Sequence, residues 1–396
     1  MQLLLLSPDE FNLRIAKVRE AMTAAGIEAA VVQTNANLYY LTGRVFCGYI
    51  YISADTAVDP VFFVKRPVVL HGDNVVRIHK PENIASELAR AGIHIPNAIG
   101  LELSLVPYSM ALRMQAALGA SSITDVSGAL MAARAVKTPH ELSLLRVSGA
   151  KHDAVYRKIP RLFRPGMSDI ELQVEIERVA RLEGCLGQFR VNGQDMEIFM
   201  GNVLAGENAD APSPYDFAMG GAGLDPSLPV GADGTIIRPG MSVMIDMNGN
   251  FTGYMTDMTR TFAPAPLEGR ALDAHKLSVD ICRELARMGR PGIAAADLYN
   301  RAVAMAEEAG LAEFFMGHRQ HAGFVGHGVG IEINELPVIA PRSKAILEAG
   351  NVIALEPKFV IPGVGAVGVE NTYVVNTSGD MEAITRSPQE IIIFEE

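Results

Sequence analysis

Four acidic residues in the second half of the chain interrupt runs of strand-forming apolar residues. Asp246 ends the run GMSVMID, and Asp257 follows in GYMTDMTRTF. Glu356 ends the run GNVIALE, and Glu370 follows in GAVGVENTYVV. A buried carboxylate is costly unless it is paired or bound to a cation, and four of them together would repel one another. We therefore interpret these residues as ligands of divalent metal ions, whose charges would balance theirs.

A histidine between the two acidic pairs would complete such a site. His327 lies in GFVGHGVGIE, where the flanking glycines allow close approach of the backbone. Neutral imidazole binds many of the transition-metal ions that carboxylates also bind. A lone histidine more often has a structural role, but its position among the four acids favours metal binding. The sequence thus predicts a five-ligand site for two divalent ions.

The elements that must position these ligands occur twice along the chain. RPGMSDIELQVEIERVARLEG begins at Arg164 and RPGIAAADLYNRAVAMAEEAG begins at Arg290, and each predicts a turn followed by a helix. Each is later followed by a strand with a glycine six residues before an acid, at Gly240 and Gly350, and then by a second acid. This order predicts two similar halves, each with two carboxylates on a β-hairpin. The alternative is chance similarity between ordinary hairpins.

The first third of the chain has a different organisation. Predicted helices and strands alternate over residues 1 to about 130, which indicates a small α/β domain. A helix start follows at Thr138, with proline next and Glu141 three residues after the threonine, as in a capping box. We expect one domain over residues 1–133 and a second over residues 134–396.

Composition excludes several classes of partner. The chain has 396 residues, 49% of them hydrophobic, and a net charge of −11 without a basic stripe, so nucleic acid is not expected as a partner. The three cysteines are far apart and predict neither disulfides nor a thiolate zinc site, and a cytoplasmic location is expected. No apolar run approaches the ~20 residues that cross a bilayer, and the run at residues 3–6 is too short for a signal sequence.

Taken in order, the motifs resemble those of the creatinase, prolidase and aminopeptidase P superfamily. DMTRTF at Asp257 is similar to the family's Asp-x-Thr-Arg-Thr-Phe signature, and GHGVG around His327 with ELP at Glu335 is similar to its histidine segment. EP at Glu356 and ENT at Glu370 resemble its two glutamate segments. The resemblance extends from about residue 137 to the end, and less sharply to NANLYYLTG in the first domain.

This resemblance implies a fold and a set of roles. The fold is α/β (α+β): a small N-terminal α/β domain of creatinase/prolidase type, then a C-terminal pita-bread domain with a pseudo-two-fold repeat around a curved antiparallel sheet. Asp257 and Glu370 would bridge two divalent ions, which would be manganese, cobalt, zinc or iron. Asp246 would bind one ion, and His327 and Glu356 the other. The family also assigns handling of the nucleophile's proton to the position of Glu356.

The resemblance also implies an activity. The chain would be a dinuclear metal-dependent hydrolase similar to Xaa-Pro dipeptidases and aminopeptidases, cleaving the bond before proline in short peptides. It would be a homodimer in which the first domain helps to close the partner's pocket, and the tyrosine-rich segment LYYLTGRVFCGYIYI would offer a contact surface. One alternative is altered chemistry on a non-peptide small molecule, as in a creatinase-like C–N hydrolase or a lyase. Another is a non-enzymatic binding module.

Two histidines that active peptidases of this family use to hold the substrate carbonyl are absent. The position seven residues after His327 is Asn334, and the region near Pro229, about seventeen residues before Asp246, contains no histidine. Asn334 is the candidate to replace one of them, through a hydrogen bond from its amide. We therefore expect weak prolyl cleavage or a different substrate.

A long polar, glycine-rich segment over residues 192–227 is expected to form part of the pocket wall. Arg190, Asp216 and Phe217 are candidates to bind substrate there, although a structural role is the alternative for each. His321 is a fourth candidate, because relatives often have a histidine at the position of Gly323 and His321 is close to it.

Overall fold

The structure, a computed structural model, describes residues 1–193 and 196–395. It divides into two units, Met1–Arg134 and Ala135–Glu396. Gln194 and Asp195, which belong to the predicted pocket wall, lie outside the described residues. Within the described part of the chain, no helix combines the length and the hydropathy needed to span a bilayer.

The first unit is built on a six-stranded sheet with the strand order β4-β3-β2-β1-β5-β6. Its central strands are antiparallel from β1 to β3, whereas β4, β5 and β6 join in parallel. The strands are β1 (Ala29–Val32), β2 (Cys47–Ser53), β3 (Val61–Arg66), β4 (Val75–Arg77), β5 (Ala98–Leu101) and β6 (Ser122–Asp125). The helices are α1 (Pro8–Ala24), α2 (Asn35–Thr42), α3 (Ile84–Arg90), α4 (Tyr108–Leu118) and α5 (Ser127–Ala135).

The tyrosine-rich segment of the first unit belongs largely to its core, so its predicted role as a contact surface is wrong. Tyr40, Tyr49 and Tyr51 are buried, because α2 and β2 pack both faces of this segment inside the unit. The exposed members of the segment include Val45 and Cys47. The segment therefore contributes to the stability of the first unit and presents little aromatic surface.

The described residues of the second unit form four long helices and three sheets. The helices are α6 (Pro139–Tyr156), α7 (Asp169–Leu182), α8 (Gly269–Met288) and α9 (Ala295–Glu308). The strands are β7 (Gly201–Ala205), β8 (Val243–Asn248), β9 (Asp257–Ala263), β10 (Gly326–Gly328), β11 (Glu335–Ile339), β12 (Val352–Leu355), β13 (Lys358–Ile361), β14 (Gly365–Gly368), β15 (Asn371–Val374), β16 (Glu382–Ala383) and β17 (Ile392–Ile393). The sheet orders are β17-β9-β8-β7, β11-β10-β12-β15-β16 and β13-β14.

The predicted start of the second unit's first helix is confirmed. The Thr138 hydroxyl accepts a hydrogen bond from the Glu141 backbone at 3.2 Å, and the Glu141 carboxylate accepts one from the Thr138 backbone at 2.9 Å. This reciprocal pair satisfies two backbone N–H groups that the first helical turn leaves without partners. It fixes the point at which α6 begins.

The two halves of the second unit are similar but not identical. Helices α7 and α9 follow the two RPG segments, as the repeat predicts. Strand β8 pairs directly with β9, so the first two acids do lie on neighbouring antiparallel strands. The other two flank β12 and β15, which also pair, but the β13–β14 hairpin is inserted between them. The second half therefore departs from the simple hairpin that the sequence suggested.

Candidate metal centre

The four carboxylates come together where the two halves of the second unit meet. Asp246 lies in β8 and Asp257 begins β9, while Glu356 follows β12 and Glu370 precedes β15. The Glu370 backbone N–H donates to the Thr259 carbonyl at 3.1 Å, which joins the two halves beside the acids. Side chains on or next to four different strands are thus directed into one place.

Two sets of ligand atoms are close enough to hold a cation. One oxygen each of Asp257 and Glu370 and one nitrogen of His327 lie within 4.8 Å of one another. The same holds for one oxygen each of Asp246, Glu356 and Glu370. Glu370 belongs to both sets, as a bridging ligand would. We call these the histidine set and the carboxylate set; together they contain all five predicted ligands, whose metal-binding role stays a prediction.

His327 directs one ring nitrogen toward the acids. Its Nδ1 lies 3.1 Å from the Gly328 carbonyl, which can only accept, so Nδ1 carries a proton and the arrangement leaves Nε2 for the site. Nε2 lies 3.4 Å from Glu356 Oε1 and 3.8 Å from Asp257 Oδ2. Burial lowers the pKa of His327, but the hydrogen bond to Glu356 and its charge outweigh this and raise the pKa to about 9. A metal ion would therefore compete with a proton for Nε2.

A lysine that the sequence analysis did not consider lies among three of the carboxylates. Lys358 begins β13, and its side chain is fully buried. Its Nζ donates to Asp246 Oδ2 at 2.8 Å, to Glu356 Oε2 at 2.8 Å and to Glu370 Oε2 at 3.2 Å. The signal was present in the sequence as a charged residue inside the apolar run of EPKFVI, two positions after a predicted ligand.

The buried charges shift one another's pKa values unequally. Burial opposes ionisation of Glu356, but the charge of Lys358 and the hydrogen bond from His327 lower its pKa to about 2. Burial raises the pKa of Glu370 to about 8, although Lys358 acts in the opposite direction. Burial and then the charge of Glu370 raise the pKa of Asp257 well above its usual value. Positive charge is therefore sufficient around Glu356 and insufficient around Asp257 and Glu370.

The hydrogen bonds of Glu370 indicate which of the two ligand sets can accept a metal ion. Its Oε2 accepts from Thr259 Oγ1 at 2.7 Å and from Lys358 Nζ. Its Oε1 is buried and has no hydrogen-bond partner among the described residues. A buried carboxylate oxygen without a partner is costly, and a cation would remove that cost. The histidine set therefore fits a divalent ion, whereas an ammonium already contacts every member of the carboxylate set.

Arg260, in the DMTRTF motif, holds the backbone around these ligands. Its guanidinium is fully buried and donates to the Glu370 carbonyl and to the Asn371 side chain, each at 2.7 Å. It also donates to the carbonyls of Pro388 at 2.6 Å and Ser387 at 2.7 Å. The planar fork of an arginine is suited to several fixed acceptors at once. Arg260 thus positions Glu370 and anchors the segment that follows β16.

The candidate site residues Asn334 and Arg190 lie where the residues just before β11 contact the segment at residues 190–192. Asn334 Oδ1 accepts from the Asn192 N–H at 2.7 Å, and Asn334 Nδ2 donates to the Asn192 carbonyl at 2.6 Å. Next to it, the Ile333 N–H donates to the Arg190 carbonyl at 2.8 Å. The amide of Asn334 therefore clamps the loop near residue 192. Its catalytic contact and the substrate-binding role of Arg190 stay predictions.

The other three substrate-binding candidates line one small cavity. Asp216, Phe217 and His321 surround it together with Tyr215 and Gln320, whereas Arg190 and Asn334 are not among its lining residues. His321 Nδ1 lies 2.9 Å from the carbonyl of residue 315, which orients its ring. The structure thus brings these three residues together, and substrate binding by them stays a prediction.

Curated relatives match almost the whole chain. The chain is 27% identical to a protein of Bacillus subtilis named "Uncharacterized peptidase YqhT", over 96% of this chain and 100% of that protein. It is 24% identical to the Xaa-Pro dipeptidase of Pyrococcus horikoshii, over 97% of this chain and 100% of that protein.

Solved structures and family models agree with this. The Xaa-Pro dipeptidase from Bacillus anthracis superimposes with a TM-score of 0.80 at 25% identity, covering 97% of this chain and 99% of that one. The prolidase from Pyrococcus horikoshii shares the fold, with a TM-score of 0.76 at 21% identity, covering 96% and 99%. The model described as "Creatinase/Prolidase N-terminal domain" matches residues 14–136. Because the model described as "Metallopeptidase family M24" matches residues 143–377, more than half of the chain, the chain belongs to metallopeptidase family M24 and has the predicted creatinase/prolidase, pita-bread organisation.

Proposed function

We propose that the chain is a metal-dependent hydrolase that cleaves Xaa-Pro bonds in short peptides. The observation that supports this most strongly is the histidine set, in which ligand atoms of two carboxylates and an imidazole lie within 4.8 Å of one another, and in which Glu370 has one oxygen, Oε1, without a hydrogen-bond partner among the described residues. Two relatives that match almost the whole chain are named Xaa-Pro dipeptidases. The family supplies the reaction class, and the geometry supplies a place for the ion that this class requires.

Different residues of the site would have different roles in such a reaction. Asp257, His327 and Glu370 would hold the ion, which when bound would act as a Lewis acid toward a carbonyl group. Glu356 is ionised by its contacts with Lys358 and His327 and is the candidate to accept the proton of the attacking nucleophile. Burial of these groups excludes bulk water and strengthens their electrostatic effect on a substrate.

The identity and the number of ions belong to this proposal. The five ligands led us to expect two divalent ions of manganese, cobalt, zinc or iron, and carboxylate with imidazole ligands suits any of these. We propose manganese as the first ion to test. We also propose that the protein is cytoplasmic, from its three widely separated cysteines, and that it forms a homodimer, from the family resemblance.

A second candidate function is favoured by two observations. The amide of Asn334, at the position of a family histidine, is engaged by the backbone of Asn192. Lys358 places an ammonium next to Glu356, among the carboxylates where the resemblance predicts a metal ion. A hydrolase or lyase acting on a small non-peptide molecule would be compatible with both. A general acid or base typically contributes about 10²–10⁴ in rate. Absence of the two family histidines therefore slows prolyl cleavage more than a reaction that does not use them.

The two functions are distinguished by a substrate screen with a matched variant. The protein is loaded separately with each of the four ions and assayed on Xaa-Pro dipeptides and on longer Xaa-Pro peptides, beside Asp257→Ala. We expect slow, metal-dependent release of the N-terminal residue that the variant and a chelator abolish. No cleavage by a protein that demonstrably contains metal would favour the non-peptide substrate. Cleavage that persists in Asp257→Ala would contradict the metal dependence.

A further inference from the structure

One cation of the site is part of the chain itself. Lys358 Nζ lies 2.8 Å from Asp246 Oδ2, 2.8 Å from Glu356 Oε2 and 3.2 Å from Glu370 Oε2. An ammonium group has three hydrogens to donate, and three carboxylates lie within reach of them. These acceptors are the same three residues that form the carboxylate set. The ammonium and a second metal ion would therefore occupy the same place.

The two cations cannot share that place. A transition-metal ion bound by carboxylates lies at about 2.0–2.2 Å from their oxygens, so it would have to lie between the oxygens that Lys358 now contacts. Two positive groups at about 3 Å repel each other strongly in a buried site. Binding of an ion to the carboxylate set therefore requires that the ammonium leaves its three acceptors.

The surroundings of Lys358 oppose such a movement. The residue lies at the start of β13, where it pairs with Gly368, and its carbonyl accepts a hydrogen bond from the Met316 N–H at 2.8 Å. No part of its side chain is exposed, so the ammonium has no direct route to solvent. Separating a buried ammonium from its carboxylates leaves uncompensated charges, which is strongly unfavourable.

Of the three described residues of the histidine set, Lys358 contacts Glu370 alone. The three contacts of Lys358 include neither Asp257 nor His327, and they leave Glu370 Oε1 without a partner among the described residues. One divalent ion there and the ammonium of Lys358 would together supply +3 against the four carboxylates, close to the balance that two ions would give.

We propose that Lys358 takes the place of the second metal ion, so that the protein binds a single divalent ion, held by Asp257, His327 and Glu370. Lysine and ion would then form a mixed pair of cations bridged by one carboxylate. This inference rests on the proposed metal dependence but on no particular substrate.

Metal counting with three variants tests the proposal. The wild type, Lys358→Met, Asp246→Asn and Asp257→Ala are loaded with manganese, freed of excess ion and analysed for manganese per chain. Methionine has nearly the length of lysine and no charge. We expect about one ion in the wild type and in Asp246→Asn, about two in Lys358→Met, and a clear loss in Asp257→Ala. The manganese electron paramagnetic resonance spectrum should be that of an uncoupled ion in the wild type and of a coupled pair in Lys358→Met.

Several outcomes would overturn the proposal. Two ions in the wild type would show that Lys358 moves aside, and no bound ion would show that the histidine set does not suffice. A folded Lys358→Met protein with one ion would show that the lysine does not exclude the second. If Lys358→Met does not fold, Asp246→Asn still decides, because loss of the ion there would place it in the carboxylate set. Metal counts need no substrate, so failure of Xaa-Pro cleavage and failure of this proposal are separate results.

Discussion

At the scale of single residues, the buried guanidinium of Arg260 shows how the site depends on a side chain that binds no metal. Lysine at this position would keep the charge but could not reach all the acceptors, and a buried acceptor left without a partner costs about 1–3 kcal/mol. We predict that Arg260→Lys lowers the free energy of unfolding by about 3–5 kcal/mol and also lowers manganese content. Urea denaturation and metal analysis measure the two effects. The acceptors are the carbonyls of Thr259, Glu370, Ser387 and Pro388 and the Asn371 side chain.

The matched control for that prediction is Arg283→Lys. Arg283 lies on α8 and makes an exposed ion pair with Asp280 at 3.4 Å. Exposed pairs contribute little to stability, and surface substitutions usually change it by less than about 0.5 kcal/mol. Equal, small effects of the two substitutions would show that the hydrogen bonds of Arg260 are not needed to hold the Glu370 backbone.

Asn334→His carries a second prediction at this scale. The resemblance places a histidine at this position in active peptidases. The sequence therefore predicts that restoring it raises kcat if the protein is a weakened prolyl peptidase, and lowers the protein's own activity if it has a different reaction. The structure changes this expectation, because an imidazole cannot reproduce both hydrogen bonds to the Asn192 backbone. We predict a loss of about 1–3 kcal/mol in stability and no rise in kcat on an Xaa-Pro dipeptide.

Thermal unfolding and a dipeptide assay measure these two quantities. Asn376→His is the control, since Asn376 makes a single side-chain hydrogen bond in an exposed turn. A higher kcat for Asn334→His at unchanged metal content would show that the loop adapts and that the imidazole acts as it does in relatives.

At this scale the sequence located the side chains that cluster in the structure, whose role as metal ligands stays a prediction, but not their neighbours. Carboxylates such as Asp246 and Glu356 were recognisable because an acid in an apolar strand is unusual and suggests a cation. The same logic applies to Lys358, yet the sequence contains no information on which buried acid a buried ammonium meets. Which acids Lys358 contacts depends on how β8, β12 and β15 pack around the start of β13.

At the scale of elements, the burial of helix α6 against the sheet gives a prediction on pH. His152, on this helix, is buried; its Nδ1 lies 3.1 Å from Thr256 Oγ1 and its Nε2 has no hydrogen-bond partner among the described residues. Burial, reinforced by the charge of Arg260, lowers its pKa from 6.5 to about 3. Below pH 6.5 the unfolded chain therefore binds a proton that the folded chain does not. Stability present above pH 6.5 is lost as the pH falls toward 3, by about 1.4 kcal/mol per pH unit.

His152→Gln tests this contribution because glutamine does not titrate. Urea denaturation between about pH 6 and pH 4 should show a shallower loss of stability in the variant, by about 1.4 kcal/mol per pH unit, whatever its stability at neutral pH. His140→Gln is the control, since His140 is exposed in the first turn of the same helix and is solvated in both states. Parallel profiles for His152→Gln and the wild type would contradict the prediction.

Local sequence patterns predict where helices and strands lie better than they predict which strands pair with each other. The capping box at Thr138 and the periodic segments after each RPG turn were sufficient to predict α6, α7 and α9. The insertion of the β13–β14 hairpin was not predicted, although Pro362 and Gly363 mark its turn. Which strand pairs with β12 depends on contacts between residues distant in sequence, such as the register of Leu355 with Asn371.

At the scale of the whole molecule, we predict a homodimer. The expectation rests on the resemblance to the superfamily, since the tyrosine-rich segment belongs largely to the core of the first unit. Light scattering at micromolar concentration should give twice the mass of the 42.5 kDa chain. Substituting the buried Tyr49 by alanine should lower the free energy of unfolding by about 3–5 kcal/mol, as for other large buried aromatic side chains, and should change this mass only if the protein unfolds. A single-chain mass for the wild type would contradict the prediction.

Removal of metal is expected to destabilise strands of the second unit and to leave the first unit unchanged. Hydrogen exchange can measure this effect for individual strands. The carboxylates are on or next to β8, β9, β12 and β15, and burial with mutual repulsion raises the pKa values of Asp257 and Glu370. We therefore expect a bound ion to stabilise the contact between the two halves. Binding to the folded state adds about 2.7 kcal/mol at an ion concentration of 100 times Kd. Hydrogen exchange by mass spectrometry should therefore be faster after chelation in residues 243–263 and 352–374. Strands β1 and β2 of the first unit, which carries none of the five ligands, should exchange at unchanged rates, and Asp257→Ala should show no response to the chelator. Equal changes in both units, or none in the second, would show that the ion is not what holds the two halves together.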